Sequence, residues 1–285
     1  RGARPSRWAP RARVPDRGPC GAALYPPAVS ALLLLAAITG GTLATYLYDD
    51  ESPLPSRVAV GAPLGLTLLG LAGFVLASAM GLNGASILLA ALAVLVPGVF
   101  ALRRQGSRLR SDALVARDML AGRLGHPDRW TVALSLLAAG TTWLVWRLYE
   151  RAMFERADGA IYTGVDHNIG DLPFHIAIIN SFVHGNNFPP EHPELAGVRL
   201  TYPFLVDFVS AMLVRAGAGL RDALFTVNVA LALALVALVF RWASHFTRDR
   251  LAAVATPFLV FLSGGFGFVL LLREVDPTRG GLVGL

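Results

Sequence analysis

The segment Val58–Ala79, VAVGAPLGLTLLGLAGFVLASA, decides the fold class of this chain. It carries no charged residue, and it is as long as the roughly 20 apolar residues that a helix needs to cross a bilayer. Its apolar residues are continuous rather than alternating, which favours a helix over a strand of a closed barrel. The segment therefore predicts a transmembrane helix.

Comparable apolar segments recur along the chain. Hydrophobic residues make up 54% of the sequence and charged residues 15%, whereas a soluble domain carries about 25% charged residues. We predict an all-α, polytopic transmembrane helix bundle of about seven spans, of which the fifth is short for a crossing. The other six spans are Ala28–Tyr48, Gly84–Leu102, Trp130–Tyr149, Pro203–Ala216, Asp222–Trp242 and Leu251–Leu272.

Composition divides the chain into four parts. Residues 1–22 form an arginine-rich tail that we expect to be disordered or artefactual. Residues 23–102 hold three spans, residues 103–129 form an arginine-rich cytoplasmic loop, and residues 130–285 form a core that we expect to be truncated at its C-terminus. The only cysteine, Cys20, excludes an intrachain disulfide and a cysteine metal site.

The arginines predict a membrane partner and an orientation. All 25 basic residues are arginine, and they lie next to apolar spans, so an anionic membrane face explains the net charge of +6 better than nucleic acid does. Arginine without lysine, with abundant Ala, Leu and Gly, indicates a GC-rich bacterial genome. The arginine count is tied between the two sides until the tail is left out. It then places residues 103–129 inside and residues 166–202 outside a bacterial inner (plasma) membrane.

A polar island lies between the fourth and fifth spans, at residues 166–203, DHNIGDLPFHIAIINSFVHGNNFPPEHPELAGVRLTYP. Ionisable residues at a membrane are costly, so their concentration here indicates function. Phe174–Val183 is too short to cross a bilayer and predicts an interfacial or re-entrant helix. We expect Asp171 to cap it, with Pro173 in its first turn.

Asp171 and His175 are four residues apart, which places both on one face of a helix. A carboxylate beside a histidine can act as a general base or bind a divalent metal. The alternative is that Asp171 only caps the helix while His175 lies at the water interface. Asp166 and Asp171 could share a cation such as Mg²⁺ or Mn²⁺, or both could be solvated loop acids.

The island also resembles a known family. An outer loop with an acid at Asp171, the segment GNNFPP at 185–190, then His192-Pro193 and Tyr202-Pro203, is similar to the GT-C membrane glycosyltransferases, which include the dolichyl-phosphate-mannose protein mannosyltransferases. The resemblance covers roughly residues 130–272. It implies transfer of a sugar from a polyprenyl-phosphate carrier to an acceptor on the outer face of the cell envelope.

The resemblance assigns the family acid to Asp171, with Asp166 second. Two departures stand against it: Leu172 follows Asp171 where many members have Asp-Glu, and the first three spans would be an N-terminal addition. The candidate catalytic residues are Asp171, His175 and Asp166, and the candidate substrate-binding residues are Glu191, His192, Arg199 and Tyr202. Arg199 is the candidate contact to the donor phosphate.

Two other functions remain open at this point. One is a transporter or lipid-binding protein without covalent chemistry, and the other is a scaffold. A transport pathway requires charged groups within the spans, and here they are few, chiefly Asp207, for which Arg215 is too distant to be a helical i,i+4 partner. The acids gather instead in one loop, which favours an enzyme.

Overall fold

The computed structural model describes residues 25–125, 128–157, 159–165 and 168–262, and within them the fold is all-α, as predicted. A 3-10 turn at Thr45–Leu47 follows the first helix, and a short antiparallel pair, β1 (Phe154–Glu155) and β2 (Ile161–Tyr162), follows the fourth. The helices are α1 (Pro27–Ala44), α2 (Leu54–Met80), α3 (Gly84–Gly125), α4 (Arg129–Ala152), α5 (Asn168–Gly185), α6 (Leu205–Arg215), α7 (Leu220–Thr247) and α8 (Arg250–Leu262).

Five helical segments in the described part of the chain are long and apolar enough to cross a membrane. They are Pro27–Leu47, Leu54–Met80, Gly84–Met119, Arg129–Ala152 and Leu220–Thr247. The predicted fifth span is an 11-residue helix, α6, and the predicted seventh continues beyond α8 into residues outside the described ranges. The prediction of about seven spans is therefore not confirmed.

Glycines bring α1 and α2 into close contact. A Cβ atom on Gly65 would collide with the backbone carbonyl of Ala37, and one on Gly41 would collide with the carbonyl of Gly61. Small residues allow the backbones of membrane helices to approach closely, so that dispersion contacts hold them together. The Gly61-x-x-x-Gly65 spacing places both glycines on the face of α2 that meets α1.

Helix α6 packs along the C-terminal part of α2. A Cβ on Gly70 would lie 2.9 Å from Val209, and one on Gly73 would lie 2.5 Å from the sulfur of Met212. At its end, the Arg215 Nε donates a hydrogen bond to the Leu82 carbonyl at 3.2 Å. Eleven residues of helix extend about 16 Å, roughly half of a 30 Å hydrocarbon core. We infer that α6 does not cross, and that it ends on the side where α2 ends.

The bundle consequently has two distinct ends. The polar-loop end holds the start of α1, the α2–α3 turn, and the described residues between 153 and 219. The arginine-rich end holds the α1–α2 turn, the part of α3 after residue 102, and the α7–α8 turn; Arg241 of α7 contacts Ser52 there. Described arginines at the polar-loop end are Arg151, Arg156, Arg199, Arg215 and Arg221, whereas the arginine-rich end holds Arg57, Arg241, Arg248, Arg250 and all those of residues 103–129. The positive-inside rule predicts that the arginine-rich end faces the cytoplasm.

A buried arginine organises the arginine-rich end. Arg57 is 0% exposed, and its guanidinium donates to the carbonyls of Ser52 at 2.8 Å and Asp49 at 2.7 Å. It also stacks over the Tyr46 ring, 3.9 Å from its centroid. The Ser52 side chain, together with backbone N–H groups, lowers the pKa of Asp49 to about 2. The acidic turn after α1 is therefore folded around Arg57.

Residues 103–125, predicted as a loop, are helical. Helix α3 continues through them with a kink at Gln105, where φ is −127°. Beyond the kink the helix is fastened to the α1–α2 turn, because Tyr46 donates to Asp112 at 2.9 Å and Arg108 pairs with Asp50 at 3.2 Å.

The topology predicts the accessibility of single cysteines in a Cys20→Ser background. Cysteines at Ser107 and His245 should react with an impermeant maleimide from one side of the membrane, and a cysteine at Glu194 from the other. The seven-span arrangement places residues 194 and 245 on the same side. Labelling of residues 194 and 245 from the same side of the membrane in intact cells would contradict the inference that α6 does not cross.

The α1–α2 contact predicts opposite effects for two glycine substitutions. Gly65→Ala should lower the melting temperature in detergent, because overpacking costs about 1–3 kcal/mol. Gly140→Ala in α4 meets nothing within 4 Å and should be neutral or slightly stabilising, because alanine favours a helix by up to about 1 kcal/mol. Equal melting temperatures for the two variants would refute the close packing.

Candidate functional site

The centre of the candidate site is a contact between α5 and α6. The Nδ1 atom of His175 lies 3.0 and 2.9 Å from the two carboxylate oxygens of Asp207. The Asp207 side chain is 4% exposed, whereas that of His175 is 31% exposed. A buried carboxylate is costly unless it is hydrogen-bonded or paired, so this histidine supplies the partner that the sequence did not reveal.

The position of Asp207 favours its charge. Asp207 lies in the first turn of α6, where the partial positive charge of a helix N-terminus stabilises a carboxylate. The next two residues, Phe208 and Val209, are fully buried in the core. The helix therefore presents one anionic group on an otherwise apolar surface, and His175 is the hydrogen-bond partner on α5 that covers it.

Two aromatic rings, those of Phe174 and Tyr202, lie beside His175. The Tyr202 ring meets His175 edge-on at 5.7 Å, and it meets Phe174 in the same way at 5.2 Å. His192 also packs against Phe174, with ring centroids 5.2 Å apart. The structure thus brings the predicted residues His175, His192 and Tyr202 together around Phe174, which the sequence analysis did not select.

The loop that carries His192 and Tyr202 has a defined fold. Asn187 holds its base, since its side-chain nitrogen donates to Glu191 O at 2.8 Å and its oxygen accepts from Glu191 N at 2.8 Å. Glu191 and Arg199 form an antiparallel bridge, and His192 N donates to Val198 O at 2.7 Å. Glu191 and Arg199 are therefore neighbours in the backbone, and both are exposed.

Phenylalanines fix this loop to the bundle. Phe188, at the start of the loop, packs against Phe182 of α5, Phe208 of α6 and Phe74 of α2, with ring centroids 5.4 to 6.0 Å apart. Aromatic pairs in this range contribute about 0.5–1.5 kcal/mol beyond the burial of their surface. The cluster fixes the loop, α5 and α6 relative to one another, and so holds His175 at Asp207.

Asp171 occupies a different position from the predicted one. Helix α5 begins at Asn168, so Asp171 lies inside its first turn rather than at the N-cap, and Pro173 is likewise within the helix. The prediction of Asp171 as the cap is wrong, because the helix already begins at Asn168 and runs through Gly170. Asp171 is exposed one turn before His175, and its charge acts on that imidazole through space.

Both ends of α5 lie at the polar-loop end. The Asn168 side chain donates to the carbonyl of Ala152, the last residue of α4, at 3.2 Å. After the other end, Asn186 lies beside Gly81, the residue that follows α2. These contacts place Asp171 and His175 on a helix that is not among the five candidate spans.

The carboxylate of Asp207 changes the protonation of His175. Its hydrogen bond raises the pKa of His175 above the usual value of about 6.5, partial burial opposes this rise, and the charges of Asp207 and Asp171 add to it. The imidazole is therefore held in its protonated form to higher pH than a free histidine. In that form Nδ1–H binds Asp207, and the other ring nitrogen remains a proton donor.

The predicted metal pair is not tested, because Asp166 lies outside the described residues. Within those ranges there is no cluster of three or more His, Cys, Asp or Glu side chains arranged to hold a metal ion. Asp171, the other member of the pair, has His175 as its charged neighbour.

The chain matches no protein-family model, and comparisons with curated proteins and with solved structures gave no match.

The His175–Asp207 pair predicts a pH-dependent stability. A histidine with a raised pKa contributes stability that is complete below about pH 6.5 and is lost as the pH rises through the higher folded-state pKa. The melting temperature should therefore fall above about pH 6.5. Asp207→Asn should lower the free energy of unfolding at pH 6 by on the order of 1–3 kcal/mol, and so lower the melting temperature there and flatten its pH dependence.

Asp222→Asn is the matched control, since Asp222 is 68% exposed and its pair with Arg221 lies at the surface. Such pairs contribute little to stability. A pH profile of Asp207→Asn that keeps the slope of the unsubstituted protein would show that His175 does not depend on Asp207.

Proposed function

We propose that this protein is an integral membrane glycosyltransferase that moves a sugar from a polyprenyl-phosphate donor to an acceptor on the outer face of a bacterial inner membrane. The observation that carries the proposal is the His175–Asp207 pair, with Asp171 one helical turn away on the exposed side of α5. These groups lie at the end of the bundle opposite the arginine-rich end. They supply a carboxylate base and a cationic acid within one site.

In the proposed reaction Asp171 accepts the proton of the acceptor hydroxyl. The acceptor oxygen then bonds to the anomeric carbon, while the bond from that carbon to the donor phosphate breaks and its electron pair goes to the phosphate oxygen. The protonated His175 binds this oxygen and neutralises its growing charge. Asp207 is a positioning residue, because it holds the Nδ1–H of His175 and keeps the imidazole charged.

The surrounding residues fit the recognition of a sugar phosphate. Tyr202 is 44% exposed beside His175 and offers a ring face and a hydroxyl. His192 borders the same cluster, whereas Glu191 and Arg199 lie on the bridged part of the loop. We assign Tyr202 and His192 to contacts with the sugar. We assign Arg199 to the phosphate oxygens that are not bonded to the sugar. An alternative form of the proposal has Asp166 and Asp171 hold a divalent cation on the donor phosphate, and in that form Asp171 is a metal ligand rather than the base.

Substitution of Asp171 tests the proposal. Asp171→Asn in the full chain should reduce transfer from polyprenyl-phosphate-linked radiolabelled mannose or glucose to membrane acceptors by at least about 100-fold, because general base catalysis contributes about 10²–10⁴-fold. Glu194→Gln changes an exposed acid in the loop that follows α5, and this variant should keep the transfer activity. Equal turnover of Asp171→Asn and the unsubstituted protein would remove Asp171 from catalysis.

The role of His175 predicts a shift in the pH profile. Transfer should decline as the pH rises through the raised pKa of His175, because the protonated imidazole is the active form. Asp207→Asn should move this alkaline limb to lower pH while retaining activity at pH 6. A limb that stays in place would exclude His175 as the acid.

A further inference from the structure

An apolar groove lies between α1 and α3 at the polar-loop end. Its volume is about 370 Å³, which is within the range of about 300–1,000 Å³ for small-molecule pockets. Val29 and Leu33 form one wall, and Ile87 and Ala91 form the other. Along its rim Leu32 and Leu88 are 64% and 60% exposed. The groove is therefore open along its side, between the exposed faces of α1 and α3.

One end of the groove is polar. Ala216, which follows α6, and Tyr25, which precedes α1, close it there. The neighbouring Arg215 uses its Nε for the Leu82 carbonyl, and its two terminal nitrogens have no hydrogen-bond or ionic partner among the described residues. The Tyr25 hydroxyl lies directly against Gly84, where a side chain would collide with it. The Tyr25 phenol thus closes the apolar channel, and Arg215, next to the lining residue Ala216, borders this end without lining it.

This combination matches an anionic amphiphile. An apolar channel accepts a hydrocarbon chain, and an arginine guanidinium binds phosphate oxygens through paired N–H groups. An extended peptide would bring backbone N–H and C=O groups that the aliphatic walls cannot satisfy. The α2–α3 turn, with its exposed Asn83 amide bonded to Met80 O, marks this end as the level where helices leave the apolar layer.

We propose that the groove between α1 and α3 binds a membrane phospholipid with an anionic headgroup, with the acyl chain along Leu33 and Ala91 and the phosphate at Arg215 and Tyr25. The site is separate from the His175–Asp207 pair, and it does not depend on the proposed glycosyltransferase activity. Helix α6 links the two, since Asp207 lies in its first turn and Arg215 in its last. A bound lipid thereby fixes the C-terminal end of the helix whose N-terminal end holds Asp207.

Native mass spectrometry of the full chain tests the site, with phosphatidylglycerol and phosphatidylcholine as probes. The unsubstituted protein should retain phosphatidylglycerol in preference to phosphatidylcholine. Arg215→Gln should weaken phosphatidylglycerol retention about tenfold, the effect of roughly 1.4 kcal/mol, whereas Arg215→Lys should weaken it less. Arg151→Gln, which alters an exposed arginine at the same end, should retain the lipid as before.

A second pair of variants tests the channel without changing charge. Ala91→Trp should fill the groove and abolish the retention of both lipids, while Leu89→Trp, at an exposed position of α3 outside the groove, should not. If Arg215→Gln fails to fold, Arg215→Lys and Ala91→Trp carry the test. Equal retention by Ala91→Trp and Leu89→Trp, or loss with Arg151→Gln as large as with Arg215→Gln, would overturn the proposal. Stronger retention of a polyprenyl phosphate than of phosphatidylglycerol would do so as well.

Discussion

A buried carboxylate needs a hydrogen-bonding partner, and Asp207 obtains one from His175 on a separate helix. This requirement joins α5 to α6, because Asp207 is buried among apolar residues and the contact spans 32 positions of the chain. The phenylalanine cluster of Phe182, Phe188 and Phe208 begins at the residue after Asp207, and Phe182 and Phe208 in it are fully buried. An apolar cluster with one charged pair at its edge gives the polar loop a fixed position on the bundle.

Charged side chains are stabilised in different ways at the two ends of the bundle. At the arginine-rich end Arg57 is fully buried, and backbone carbonyls, a tyrosine ring and Asp112 surround its guanidinium. The charge there is structural, since it ties the turn after α1 to α3. At the polar-loop end His175 keeps one side exposed to solvent. His175 is 31% exposed beside the buried Asp207 and can exchange protons with its surroundings, whereas the enclosed Arg57 cannot, so we assign the proposed reaction to the polar-loop end.

Hydropathy alone was sufficient for the all-α class and for the long helices, since continuous apolar runs leave few alternatives in a membrane. It predicted a span at Pro203–Ala216, where the structure has an 11-residue helix that packs on the glycines of α2. The spacing of Asp171 and His175 predicted that both lie on one helix, and both lie in α5. It could not reveal Asp207 as the partner, because helix periodicity relates only residues three or four apart. Tyr202 and His192 likewise both reach Phe174 through a loop whose path depends on Asn187.

The state of the His175 ring tests this account most directly. Nitrogen NMR of the ¹⁵N-histidine-labelled protein in nanodiscs, assigned with His175→Gln, reports both ring nitrogens during a pH titration. The account predicts that Nδ1 stays protonated throughout, that Nε2 loses its proton at a pKa above about 6.5, and that Asp207→Asn lowers this pKa. A His175 ring that carries its proton on Nε2 when neutral, or that titrates at or below the usual histidine value, would contradict it.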